Sequence, residues 1–235
     1  MAFRQTLFAL LSISSLTTAH PLLHSSNKRA IAVNDAMTAI MTNVIRTISP
    51  ATSTCDNAPH PEECSTAQHA APFILESFND YDLMTVGEIA AVTSLMLFES
   101  GDFKYNQNYF SPSGGPNPGQ GTRNMQQASF NSLYAAYLVS QGKLSQEALS
   151  AATSPDAVLA LVQPDEFTFG SAAWFLATQC SAEIRAGLQS MEGGKQGAQT
   201  AWEMYLSECV GVTPVMDERR EGWTKAYAAV TGRSA

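Results

Sequence analysis

Through most of this 235-residue chain the apolar positions recur at helical intervals. From Ala30 to Ile48 they fall at Ile31, Val33, Ala36, Ile40, Val44 and Ile45, and Pro50 stops the run. Thr85 and Glu88 are spaced as a capping box ahead of a nearly all-apolar stretch, Ile89 to Phe98, that ends on Glu99. Helical spacing returns at Met125 and runs through Phe130, Leu133, Tyr134, Tyr137 and Leu138 to Gly142, a good C-terminal stop. Shorter helices are predicted over 145–152, 155–162, 167–179 and 182–191, the second with Ser154 as cap and Pro155 at its first position. Helices over 197–209, with Trp202, Tyr205 and Leu206 turned to the core, and over 217–230 close the series. Two segments break the pattern: 53–72, polar and proline-bearing, and 101–121, rich in Asn, Gly and Pro. Strand-like alternation is nearly absent, so the fold class is mainly α with one long loop.

The first residues add a targeting signal. Arg4 supplies a positive start, Leu7 to Leu16 an apolar core and Thr17-Thr18-Ala19 a small-residue cleavage site, so 1–19 reads as a signal peptide and the protein as secreted. Lys28-Arg29 marks a dibasic trimming site, giving a propeptide over 20–29 and a single domain over 30–235. No later stretch approaches the roughly 18 apolar residues of a membrane span, and no membrane partner is expected. Trimming removes three bases and no acid, which leaves 10 basic against 21 acidic residues. That balance argues against nucleic-acid binding. It also disfavours anionic polymers at neutral pH.

Four cysteines, Cys55, Cys64, Cys180 and Cys209, in an exported chain favour two disulfides. Proximity favours Cys55 with Cys64 and Cys180 with Cys209, two other connectivities remaining open. His60 and His69 make no zinc spacing with these cysteines, so neither a metal site nor a cofactor is expected. A monomer is expected.

Glu99, at the far end of a buried helix, sits beside apolar side chains that oppose its ionisation, the way a protein prepares a general acid. The loop beyond it holds Tyr105, Asn106, Asn108, Tyr109, Phe110, Gln120, Arg123, Asn124 and Gln126. Flat rings and amide forks in one loop suit the apolar faces and hydroxyls of sugars. No nucleophile elbow, P-loop or dinucleotide fingerprint accompanies them.

Glu99-Ser100, Asn106 and Gly119-Gln120-Gly121-x-x-Asn124-Met125-Gln126 resemble the Glu-Ser and Gly-x-x-Gly-x-Met-Gln elements of soluble lytic transglycosylases and goose-type lysozymes. A longer likeness runs through Gly87 to Ala91, Phe98 to Gly101, Gly121, Ser154 to Asp156, Asp165 to Phe167 and Ala172 to Leu176. In order it is similar to elements of family-19 chitinases, which share the lysozyme-like superfamily. The resemblance covers roughly 84–210 and implies a lysozyme-like helical domain with a long active-site loop. It makes Glu99 the general acid of a glycoside hydrolase or lytic transglycosylase acting on a polysaccharide of β-1,4-linked N-acetylglucosamine, either peptidoglycan or chitin and chitosan. It makes Gln120, Asn124 and Gln126 sugar-positioning residues and Trp174 core support behind the cleft. The loop's own chemistry adds Ser100, Tyr105, Asn106, Tyr109 and Arg123 as candidate substrate contacts, Arg123 being equally suited to an ion pair with Glu99 or Asp102 or to a solvated surface position. Departures are Phe98 where the chitinases carry His, and a spacer too short for their second Glu. An inverting hydrolase needs a base roughly 6.5–9.5 Å from the acid, and Asp102 is the nearest candidate. Without a base, the alternative is an inactive secreted glycan-binding or host-interaction protein on the same fold.

Overall fold

A computed structural model of the protein describes residues 33–190 and 192–232. The signal peptide over 1–19 and the propeptide over 20–29 lie outside the described residues. The described residues are mainly helical and contain no strand, only isolated bridges of Gly121 with Gln107 and Gln126. None of the described helices is long and apolar enough to cross a membrane.

The centre is α3 (Val86–Glu99), whose residues are buried on nearly every side. Its sequence explains this: an apolar run without a polar stripe has no face to give to water. The capping box forms as the spacing predicts, with the Thr85 side chain accepting from the Glu88 amide and Glu88 reaching back to the Thr85 amide. Glu88 is fully buried, and its second oxygen accepts from Arg185 Nε and Gln189 Nε2, both at 2.9 Å. Those donors sit on α9 (Ala182–Gln189), which approaches so closely that a Cβ on Gly87 would fall 2.0 Å from the Leu188 carbonyl oxygen. Only glycine fits there.

Around α3 pack α8 (Ser171–Gln179), α9, α10 (Gly194–Met204) and α11 (Asp217–Thr231). Trp202 of α10 stacks on Trp223 of α11 with ring centroids 5.3 Å apart, and Trp174 of α8 meets Tyr134 at 4.8 Å. Trp174 is thus core support, as the sequence suggests. On the outer side, α1 (Asp35–Ile48) lies against α11 and α2 (Ala67–Asp80). The chain reaches α4 (Ala128–Ser140) after the long loop, then α5 (Gln146–Ala151), α6 (Pro155–Val162) with its Ser154 cap, and the short α7 (Asp165–Thr168). Gly142 adopts a left-handed φ of 68° just past α4.

Several boundaries differ from the periodicity, three of them before or after the long loop being the most informative. The segment 53–72 is not wholly a loop, because α2 begins at Ala67 and continues through Pro72. A proline in the second turn removes one ladder bond, and burial of Ala67, Ala70, Ala71, Ile74 and Phe78 outweighs it. The predicted helix over 167–179 is split by Phe169 and Gly170 into α7 and α8. The helix predicted over 197–209 starts earlier and changes at Tyr205 into a π-helical turn, Tyr205–Val210. Both disulfides form in the proximal pairing: Cys55–Cys64 staples the loop before α2, and Cys180–Cys209 ties the end of α8 to the π turn.

Candidate functional site

Beyond Glu99 the backbone takes three successive left-handed residues, Gly101, Asp102 and Phe103, with φ of 55°, 60° and 64°. Each non-glycine residue there costs about 1–2 kcal/mol, so surrounding contacts must hold the turn. Ser100 does part of this, donating to the Met96 carbonyl and accepting from the Phe103 amide at 3.0 Å. Phe103 is fully buried, edge-on to Phe169 at 5.3 Å. Ser100 is likewise fully buried and serves the turn.

The amides of the loop are largely occupied with one another. Gln120 Oε1 accepts from Asn108 and Asn117, while its Nε2 donates to the Met125 carbonyl. Asn124 Oδ1 accepts from Thr122 and Ser171, and its Nδ2 donates to Gln126, which donates in turn to Asn131. Asn106 donates to the Gln163 carbonyl and accepts from Thr168. Such a network lets a segment of irregular backbone be buried without orphaned polar groups. Thr122 and Met125 lie at positive φ inside it, which is why α4 starts only at Ala128 and not at Met125.

Arg123 is 2% exposed. Its guanidinium donates to the carbonyls of Phe103, Tyr105 and Glu63 and lies 4.8 Å from the Phe169 ring centroid. Burial lowers its pKa to about 10. It pairs with neither Glu99 nor Asp102; it fastens two loops together.

Glu99 instead meets Arg219, whose Nη2 donates to Glu99 Oε1 at 2.6 Å. Phe98 covers the guanidinium from one side, 3.9 Å from ring centroid to Cζ, and Arg219 Nε is buried with no hydrogen-bond partner. The pair opens on a cleft of about 250 Å³. Leu95, Met125, Phe130, Phe175, Val210 and Val212 give it apolar walls, and Gln120, Asn124, Gln126 and Gln127 give it amide edges. The amide nitrogens of Gln120, Asn124 and Gln126 each have a second N–H beyond the internal bond. The π turn borders the same place, a feature that often accompanies functional sites. Its Tyr205 hydroxyl is buried without a partner, and burial followed by the Glu99 charge pushes its pKa up.

Asp102 lines a different cavity, with Ile48, Ser49, Phe98 and Lys225. Tyr105 and Tyr109 face neither cavity's lining; they cluster with His60, which stacks on Tyr109 at 3.8 Å. The structure therefore gathers Glu99, Gln120, Asn124 and Gln126 at one cleft and leaves Asp102, Ser100, Arg123, Tyr105 and Tyr109 elsewhere. Arg219 went unseen in the sequence. One signal pointed to it: a basic residue in the first turn of α11 opposes the helix dipole, so it needs a compensating acid.

A curated protein of Fusarium oxysporum (strain Fo5176), described as a bifunctional dioxygenase (DOX)-epoxy alcohol synthase (EAS), is 39% identical to this chain over 180 residues. The match takes in 74% of this chain and 13% of that protein, so the chain spans a small part of its relative's length. No protein-family model and no solved structure matches. This similarity overturns the glycosidase reading, muramidase and chitinase types and the inactive glycan binder alike, and with it cell-wall degradation and polysaccharide as partner. The geometry gives a physical reason for the correction. Glu99 Oε1 is engaged by Arg219 at 2.6 Å and Asp102 lines another cavity, so the paired acid and base of an inverting hydrolase are not assembled.

Proposed function

We propose that the chain binds an oxygenated, fatty-acid-like molecule of the epoxy alcohol kind in the Glu99–Arg219 cleft. The observation that carries this is a charge-balanced donor and acceptor set side by side at an apolar-walled cleft. An epoxide oxygen only accepts hydrogen bonds and suits Arg219 or an amide N–H. A neighbouring hydroxyl donates and suits Glu99 Oε. The hydrocarbon on either side suits Leu95, Phe130, Phe175 and Val212. An isolated charge on the ligand gains little here, because Glu99 and Arg219 already neutralise each other. The relative's name supplies the chemical class, and what its full length catalyses is not assigned to this segment.

The test is calorimetric titration of the mature protein with an epoxy alcohol of a fatty acid and with the unoxidised parent acid. The oxygenated ligand should bind at least about tenfold tighter, and Arg219→Gln should remove the difference, since a hydrogen bond to a charged group contributes about 1.5–3 kcal/mol. Equal affinity for both ligands, or none for either, would overturn the reading.

Two proposals stand beside it. We propose that the lysozyme-like resemblance concerns the fold alone, supported by the helix-and-loop order and detached from glycan chemistry. We also propose that the protein is secreted, which the two disulfides support.

A further inference from the structure

A second cleft, about 640 Å³, lies on the other side of the loop between Glu62, Glu63, Asn106, Gln163 and Asp165. At its rim one tight turn, closed by the amides of Glu63 and Cys64 on the His60 carbonyl, carries His60, Glu62 and Glu63. One ligand atom from each of the three lies within 4.8 Å of the others. His60 Nδ1 and Glu62 Oε1 are 3.4 Å apart. That equals the edge of a tetrahedron with metal–ligand bonds of about 2.1 Å.

We infer that His60, Glu62 and Glu63 form a divalent-metal site, of the imidazole-and-carboxylate type that favours Zn²⁺, open to this second cleft. Two carboxylates and an imidazole converge there, and among the described residues no Lys or Arg side chain pairs with either glutamate within 4.0 Å. A dication supplies the missing charge, and three protein ligands leave a fourth position toward the cleft. The groups behind the ligands are already fixed. Tyr109 donates its hydroxyl to Glu63 Oε1, and the Asn106 amide donates to Oε2 at 2.6 Å, which leaves each oxygen a further lone pair. The His60 ring lies flat against Tyr109, with 9° between the planes. The Glu63 carbonyl is gripped by Arg123 at 2.7 Å, and Cys64 is locked to Cys55. Outer partners of this kind orient ligands and are worth about 10–100-fold in metal affinity. No cysteine takes part, so spacing between His and Cys carries no trace of the site.

The test titrates mature protein, stripped with chelator, with ZnCl₂ at neutral pH by calorimetry, and follows the thermal midpoint with and without the metal. One equivalent should bind and raise the midpoint. His60→Ala and Glu62→Gln should each weaken binding at least about tenfold and abolish the rise, as loss of a ligand weakens binding at least as much as loss of an outer partner. Both residues lie at the surface side of the turn, and unchanged far-UV circular dichroism will certify folding. A Tyr109→Phe protein, with all three ligands intact, should bind more weakly than wild type but still bind. No binding at millimolar Zn²⁺, or binding indifferent to His60→Ala and Glu62→Gln, overturns the site. The epoxy alcohol reading concerns the other cleft, so the two stand or fall separately.

Discussion

Arg123 and Arg219 are both withdrawn from water and both lie over a phenylalanine ring, yet their surroundings differ in kind. Around Arg123 the acceptors are three neutral carbonyls from separated parts of the chain; at Arg219 the acceptor is one carboxylate. A buried backbone carbonyl is fixed by its own chain and cannot turn to an incoming group, so the first arrangement is a fastening. A carboxylate and a guanidinium bordering a cleft can each turn to an incoming polar group, so the second is a place where binding can happen. The same residue type reads as structure or as site according to whether its partners are fixed backbone or charged side chains beside open space.

The largest way to break this comparison is to remove each cation. Arg123→Met should cost about 3–5 kcal/mol of unfolding free energy, because the Tyr105 and Glu63 carbonyls lose their donor, each unsatisfied group costing about 1–3 kcal/mol, while the Phe103 carbonyl keeps the Ser65 amide. Arg219→Met should cost less, about 1–3 kcal/mol, since it leaves Glu99 without its partner but with 19% of its side chain still exposed to water. Urea unfolding of both variants decides the matter, and equal losses would erase the distinction.

The disulfides sharpen it next. Cys180–Cys209 braces the Arg219 side and closes 29 residues of chain separation, whereas Cys55–Cys64 braces the Arg123 side and closes 9. Chain entropy predicts a loss of about 3–4 kcal/mol for the Cys180→Ser, Cys209→Ser pair and about 2–3 kcal/mol for the other. The opposite order, measured by denaturant unfolding, would show that the short bridge acts by holding Glu63 under Arg123 and not by shortening the unfolded chain.

A smaller effect concerns the neighbour of Arg219. Glu203 accepts from Gln199 at 3.1 Å and from Arg220 at 2.9 Å, and these contacts hold its pKa below the ordinary 4.5. A carboxyl with a lowered folded-state pKa contributes stability above its unfolded value and loses it as the pH falls through the folded one. The thermal midpoint of Glu203→Gln should therefore lie slightly below wild type at about pH 6 and converge with it toward about pH 3. A constant gap across that range would mean the contribution is not ionic.

Much of the scaffold was legible before any tertiary contact was seen. The Thr85 and Glu88 spacing, the Ser154-Pro155 start of α6 and the Gly142 stop after α4 are local bargains between side chain and backbone, complete within a few residues. The α2 helix was hidden because Pro72 is a strong local stop signal, overridden only by burial against α1 and α8. The loop amides were visible as residue types. What they bind was not, since Asn124 finds Ser171 and Asn106 finds Thr168 across 47 and 62 residues of sequence.

By itself, then, the sequence determined most of the helices, their caps and the charge balance and favoured the proximal disulfide pairing, all of which follow from neighbours along the chain or from composition. Only the tertiary structure decided which polar groups face one another. It brought Arg219 to Glu99 from 120 residues away and turned Asp102 into another cavity. It buried Arg123 under carbonyls and closed His60, Glu62 and Glu63 around one point beside Tyr109. The physical reason is that hydrogen bonds and ion pairs depend on distances through space, and a periodic pattern fixes those only within a single element.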